Sequence, residues 1–116
     1  MITEEQRKKA VEWVKALRCG TYKQGRAVLR DINNKYCCLG VACDISGLGS
    51  WEPESDGLSY RYLSMYGILP YEVMKYYGIN RSSFIRERKL IDMNDDDRCT
   101  FEQIAVYIED SLEYDT

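Results

Sequence analysis

Two capped amphipathic helices frame this chain. Near its start, Thr3-Glu4-Glu5-Gln6 has the form of a capping box, with Thr3 as N-cap and Gln6 reaching back. Ala10, Trp13, Val14 and Leu17 follow at i, i+3, i+4 and i+7, the spacing of one helical face. Gly20 is placed to end that helix, which is expected over Glu4–Arg18. Near the other end, Thr100-Phe101-Glu102-Gln103 is a second capping box, and Ile104, Ala105, Ile108 and Leu112 form the stripe behind it. Two such stripes must bury their apolar sides against something, so the rest of the chain is expected to complete one core.

The 116 residues suit one domain, 1–116, and a 45% hydrophobic content is enough to fill a compact core. Between the helices, Thr21–Arg26 reads as a polar link. Residues 27–31 and 35–38 read as a β-hairpin around the turn-forming Asp31-Ile32-Asn33-Asn34. Leu39–Ile45 reads as a short helix stopped at Gly47, and Gly47–Gly57 as a loop. Ser59–Leu63 alternates like a strand. Pro70 suits the first position of a helix lined by Val73, Met74 and Tyr77 and ended by Gly78. Residues 80–83 are polar, Phe84–Met93 is expected to hold a short helix, and Asn94–Arg98 a turn. The expected fold is a small, mostly helical α+β domain with one β-hairpin or small antiparallel sheet packed on helices.

Charge is divided along the chain. Residues 1–35 carry nine Lys/Arg against four Asp/Glu, a net of +5, and residues 92–116 carry one Arg against nine acids, a net of −8. Either the two ends attract each other within the fold, or they form a basic site for a phosphate-bearing partner and an acidic face for a basic one. No run approaches 18 apolar residues, and no apolar segment follows the charged start. No membrane association and a cytoplasmic location are therefore expected, with the five cysteines reduced. A pI near 5 disfavours general nucleic-acid binding.

The chain contains no histidine, which removes the commonest general base, nucleophile partner and metal imidazole. Cys37, Cys38 and Cys43 lie within seven residues, but adjacent cysteines do not match the spaced pairs of a structural zinc site. They read as core residues, with a thiolate near a helix start as the chemical alternative. Asp92 to Gln103 partly matches a calcium loop. Asp97 stands where a glycine is needed, and Gln103 where a bidentate glutamate is needed. No cofactor or metal is expected. Ten tyrosines, two tryptophans and the cations Lys23, Arg26, Arg30 and Lys35 could form an aromatic and basic pocket, or the aromatics could be core.

The segment Tyr36-Cys37-Cys38-Leu39-Gly40-Val41-Ala42-Cys43-Asp44 is specific as well as unusual. Together with Gln24-Gly25-Arg26, Leu29-Arg30, Asn94-Asp95 and Phe101...Ile104-Ala105, it resembles a family of small phage and prophage accessory proteins. Asp97 stands where that family commonly has a glycine after the Asn-Asp pair. The resemblance implies a non-enzymatic binding protein acting in the host cytosol, plausibly in counter-defence, against a host protein or a small phosphate-bearing molecule. The residues expected to bind are Gln24, Arg26, Arg30, Tyr36, Cys37, Gly40, Asp44, Asn94 and Asp95. The alternative is a thiol-dependent enzyme using Cys37 or Cys38 with Asp44 or Asp95. Tyr36–Asp44 is expected to pack under the first helix and to bring Gln24-Gly25-Arg26 close to Cys37 and Gly40. Gly40 inside a helix then points to a close backbone or ligand approach. Oligomeric state is left open.

Overall fold

The computed structural model describes residues 2–79 and 86–114. The polar stretch 80–83, and the start of the helix expected over 84–93, lie outside the described residues. Helix α1 spans Glu4–Arg18, and both bonds of its capping box form: the Gln6 amide donates to Thr3 Oγ1 at 3.0 Å and the Thr3 amide to Gln6 Oε1 at 2.9 Å. Gly20 follows the last turn in the left-handed region, at φ +79°. Ala10, Trp13, Val14 and Leu17 are all buried.

Five short strands come next: β1 (Lys23–Gln24), β2 (Arg30–Asp31), β3 (Lys35–Tyr36), β4 (Trp51–Pro53) and β5 (Ser59–Tyr62). They form one sheet in the order β1-β3-β2-β5-β4. The expected hairpin is present as β2–β3, with Arg30 opposite Tyr36. It is shorter than 27–31 because Ala27 leaves the extended region, at φ 72°, and its amide donates to Asp95 Oδ1 at 3.0 Å. The sheet is mixed rather than antiparallel throughout, since β1 runs parallel to β3. A two-residue strand has no period to detect, so β1 reads as a link in the sequence. Strand β4 falls in the segment expected as a loop, and its Pro53 sits on an edge strand, where a missing N–H is tolerated.

Helix α2 spans Cys38–Ser46 and ends at Gly47, φ 68°. Every residue from Cys38 to Cys43 is buried, so the first six residues of this helix are enclosed on all sides and form the centre of the fold. Its backbone is tied to its neighbours. Trp13 Nε1 of α1 donates to the Cys38 carbonyl at 3.0 Å, and the Tyr77 hydroxyl donates to that of Ala42 at 2.8 Å. Tyr77 belongs to α3 (Tyr71–Tyr77), which ends at Gly78, and its ring lies 5.1 Å from that of Trp13.

Helix α4 (Glu87–Ile91) runs into a π-helical turn, Asp92–Asp96, where a simple turn was expected. Asp97 is right-handed, at φ −83°, and the left-handed position falls on Arg98, φ 54°. No glycine is therefore required at 97. Helix α5 (Phe101–Tyr114) opens on its expected capping box, with the Thr100 amide donating to Gln103 Oε1 at 2.8 Å and the Gln103 amide to Thr100 Oγ1 at 3.2 Å. Its stripe, Ile104, Ala105, Ile108 and Leu112, is buried. Arg18 of α1 bridges Glu102 and Glu109 of α5 at 2.7 Å each, so part of the charge division is used within the fold. No described helix is long and apolar enough to cross a membrane.

Candidate functional site

The segments singled out in the sequence do converge, and the centre of their convergence is Asn94. The π turn aims this side chain inward, leaving it 1% exposed. Its Oδ1 accepts from Gln24 Nε2 at 2.9 Å and from the Cys38 amide at 3.2 Å. Its Nδ2 donates to the Gly25 carbonyl at 2.9 Å and to Asp95 Oδ1 at 2.8 Å. A carboxamide has two acceptor positions and two donor hydrogens, so its capacity is used in full. Cys37, the N-cap of α2, supplies no side-chain cap, and Asn94 serves the helix start from across the fold. Gln24 Nε2 also donates to the Cys99 carbonyl at 2.8 Å, and the Gly25 amide donates to the Tyr36 carbonyl at 2.7 Å. Gln24, Asn94 and Asp95 therefore work as a clamp between β1, α2 and the π turn. Asn94, expected to bind a ligand, is buried with its capacity used inside the protein, whereas Gln24 and Asp95 are half-buried.

Cys37 and Gly40, also expected at the site, are buried. Cys37 is 6% exposed, and burial pushes its thiol up to about 12. Burial also raises Cys38 and Cys43. These thiols are protonated at neutral pH and are not poised as nucleophiles. Gly40 sits under the backbone of Leu29. A Cβ there would lie 1.8 Å from the Leu29 carbonyl oxygen, so the close approach inferred for this glycine is made by the chain itself and leaves no space for a ligand.

Arg30, Tyr36 and Asp44 belong to a different, accessible group. Strand register puts Arg30 between Tyr36 on β3 and Tyr60 on β5, on one face of the sheet. Its guanidinium lies 4.1 Å from the Tyr60 ring centre, 5.5 Å from that of Trp51 and 5.6 Å from that of Tyr36. Nε and Nη2 both donate to Asn34 Oδ1, at 3.1 and 2.7 Å. Asn34 can reach because it is left-handed, at φ 60°, in the hairpin turn. Among the described residues no carboxylate pairs with Arg30. Arg30, Tyr36, Trp51 and Tyr60 are half-buried, and Asn34 is exposed.

Asp44, near the end of α2, stands at the N–H edge of the Trp51 indole. Its Oδ1 accepts from Trp51 Nε1 at 2.9 Å and its Oδ2 from the Tyr22 hydroxyl at 2.5 Å. Burial and the Asp44 bond raise the Tyr22 hydroxyl well above the ordinary phenol range. The Tyr22 and Tyr36 rings meet edge to face at 5.0 Å, and Tyr36 meets Trp51 at 5.9 Å. Nearby, Lys23 lies opposite Lys35 across β1–β3, and a Cβ on Gly25 would press to 2.8 Å on that of Lys35. Lys23, Arg26 and Lys35 are exposed and have no carboxylate partner among the described residues. The sequence counts Trp51 and Tyr60 only among all the aromatics of a possible pocket, and Asn34 only as a turn residue: Trp51 reads as loop, and only strand register pairs Arg30 with Tyr60.

A groove of about 450 Å³ lies elsewhere, between α1, α3 and the end of α2. Lys9, Lys15, Tyr76 and the exposed Cys19 line it. Hydrogen bonds from the Thr21 hydroxyl and amide lower the Cys19 thiol pKa, so the accessible thiol is not one of the clustered cysteines. Among the described residues, no three Cys, Asp or Glu side chains converge on a possible metal position. The partial calcium match is taken up by the π turn and the start of α5.

The family model described as Domain of unknown function (DUF8296) matches residues 5–112. No curated protein and no solved structure matches the chain.

Proposed function

The chain belongs to this DUF8296 family of unknown function, and we propose that it is a non-enzymatic binding protein that takes a phosphate-bearing small molecule at Arg30. The observation that carries this reading is a half-buried guanidinium held in place by Asn34 and three aromatic rings, with no carboxylate among the described residues to neutralise it. Two of its five N–H donors are engaged, which leaves donors free for a bidentate contact to an oxyanion. The unpaired Lys23, Arg26 and Lys35 add positive potential beside it. In the phage or prophage setting that the motif resembles, such a protein would work by withholding a phosphorylated signal from a host defence system.

A thiol-dependent enzyme built on Cys37 or Cys38 is the weaker reading, because burial keeps both thiols protonated. A protein inhibitor acting through the acidic residues 92–116 is the other competitor. Isothermal titration with pyrophosphate and nucleoside phosphates tests the proposal. Binding to the wild type, reduced at least ~10-fold by Arg30→Gln, supports it. Binding that Arg30→Gln leaves unchanged refutes it. So does the absence of any binding, particularly where a host protein is recovered by pull-down with both forms.

A further inference from the structure

Resting on the Arg30 reading above, we infer that the ligand is a nucleoside phosphate lying along the Trp51 indole, its phosphoryl group on Arg30 and a donor group of its sugar or base on Asp44. Arg30 and Asp44 both contact the same indole, Arg30 beside the ring and Asp44 at its N–H edge. The Arg30 guanidinium lies 5.5 Å from the ring centre, and the Asp44 carboxylate is joined to the indole N–H at 2.9 Å. The two groups have opposite charge and opposite hydrogen-bonding character. Arg30 can only donate, and an ionised Asp44 can only accept.

The remaining capacity of each group sets the ligand's chemistry. Tyr22 and Trp51 occupy one lone-pair position on each Asp44 oxygen. A carboxylate offers about four, so roughly two stay open on this exposed residue. An open carboxylate repels a second phosphoryl group and selects O–H or N–H donors, as on a ribose diol or an exocyclic amine. The surface beside the two groups is aromatic, with Tyr36, Trp51 and Tyr60 all half-buried. Bare phosphate would use only the Arg30 end, and an uncharged aromatic only the middle. A nucleoside phosphate uses all three parts in one orientation.

The test is isothermal titration of the intact chain with adenosine, guanosine and cytidine monophosphates, their 2′-deoxy forms, the free nucleosides and inorganic phosphate. These are run on wild type, Arg30→Gln, Asp44→Asn and Trp51→Phe. Melting curves establish that each variant is folded. The wild type is expected to bind at least one nucleoside phosphate ~10-fold or more tighter than inorganic phosphate. Asp44→Asn is expected to weaken the nucleoside phosphate ~10-fold while leaving phosphate binding unchanged, because one charged hydrogen-bond acceptor is lost at that end only. A ribose diol on Asp44 shows as a preference for the ribo over the deoxy form. A base amine shows as a preference among bases with no ribo–deoxy difference. Equal binding of phosphate and nucleoside phosphate, both lost in Arg30→Gln and unaffected by Asp44→Asn, overturns this inference and leaves the anion site standing. Absence of binding to any of these probes overturns both. Should Asp44→Asn lower the melting temperature sharply, Trp51→Phe supplies the second arm: it deletes the indole N–H bond to Asp44, and unchanged nucleotide affinity there likewise overturns the inference.

Discussion

Replacing Gly40 with alanine puts a single methyl group against the Leu29 carbonyl. The added carbon would lie 1.8 Å from the oxygen, 2.7 Å from the carbonyl carbon and 3.2 Å from Cα. These are backbone atoms and cannot rotate aside. The same carbonyl accepts from the Cys37 amide at 3.3 Å, directly before α2, while the Leu29 amide donates to the Tyr66 carbonyl at 2.7 Å. Moving Leu29 therefore strains both contacts, together with a side chain that is fully buried. Overpacking of this kind costs ~1–3 kcal/mol and a weakened hydrogen bond about 1 kcal/mol more. Alanine returns up to ~1 kcal/mol of helix propensity. The net destabilisation is about 1–3 kcal/mol, which for a domain of this size lowers the melting temperature by roughly 4–15 °C. Thermal unfolding followed by far-UV circular dichroism measures it. Gly67→Ala is the control, since a Cβ there meets only the Ala27 carbonyl oxygen at an ordinary 3.8 Å. A Gly40→Ala protein melting within ~2 °C of wild type would mean that Leu29 does not press on α2, and the packing argument would fail.

Asn94→Ala should cost about 2–4 kcal/mol in urea unfolding, because it orphans the Cys38 amide and the Gly25 carbonyl in the interior; a cost below about 1 kcal/mol would show that water replaces the amide. Iodoacetamide should label Cys19 in the folded protein and reach Cys37, Cys38 and Cys43 only on unfolding, so early labelling of Cys37 or Cys38 would contradict their burial. Stability should fall as pH rises above about 9 toward 12, since the unfolded chain releases thiol protons that the folded Cys37 keeps. The slope is up to ~1.4 kcal/mol per pH unit for each raised thiol, and a flat profile in that window would refute the assignment. Arg18→Ala should lower the melting temperature slightly, and the difference should shrink in high salt, because the bridges to Glu102 and Glu109 are exposed; a difference unaffected by salt would point to packing rather than charge.

The sequence by itself determined the parts that depend on neighbours along the chain. Thr3–Gln6 and Thr100–Gln103 announce helix starts because a capping box closes within one turn, and Ala10, Trp13, Val14 and Leu17 reveal the buried side of α1 because helical periodicity is local. Gly47 and Gly78 mark helix ends because the left-handed conformation they adopt is a property of the residue. The sequence brought Gln24-Gly25-Arg26 close to Cys37 and Gly40 through the hairpin, and named Asn94 as a binding residue without placing it beside them. Their role was not legible. A carboxamide reads the same whether it faces a ligand or a buried helix start, and only the π turn that carries Asn94 inward decides between them. Tertiary structure alone decided that Leu29 fills the space at Gly40, that the two-residue β1 joins β3 in parallel, and that Asn34 and three rings drawn from three strands surround Arg30. Each of these rests on contacts between residues far apart in the chain or on strands too short to show a period, where local patterning carries no information.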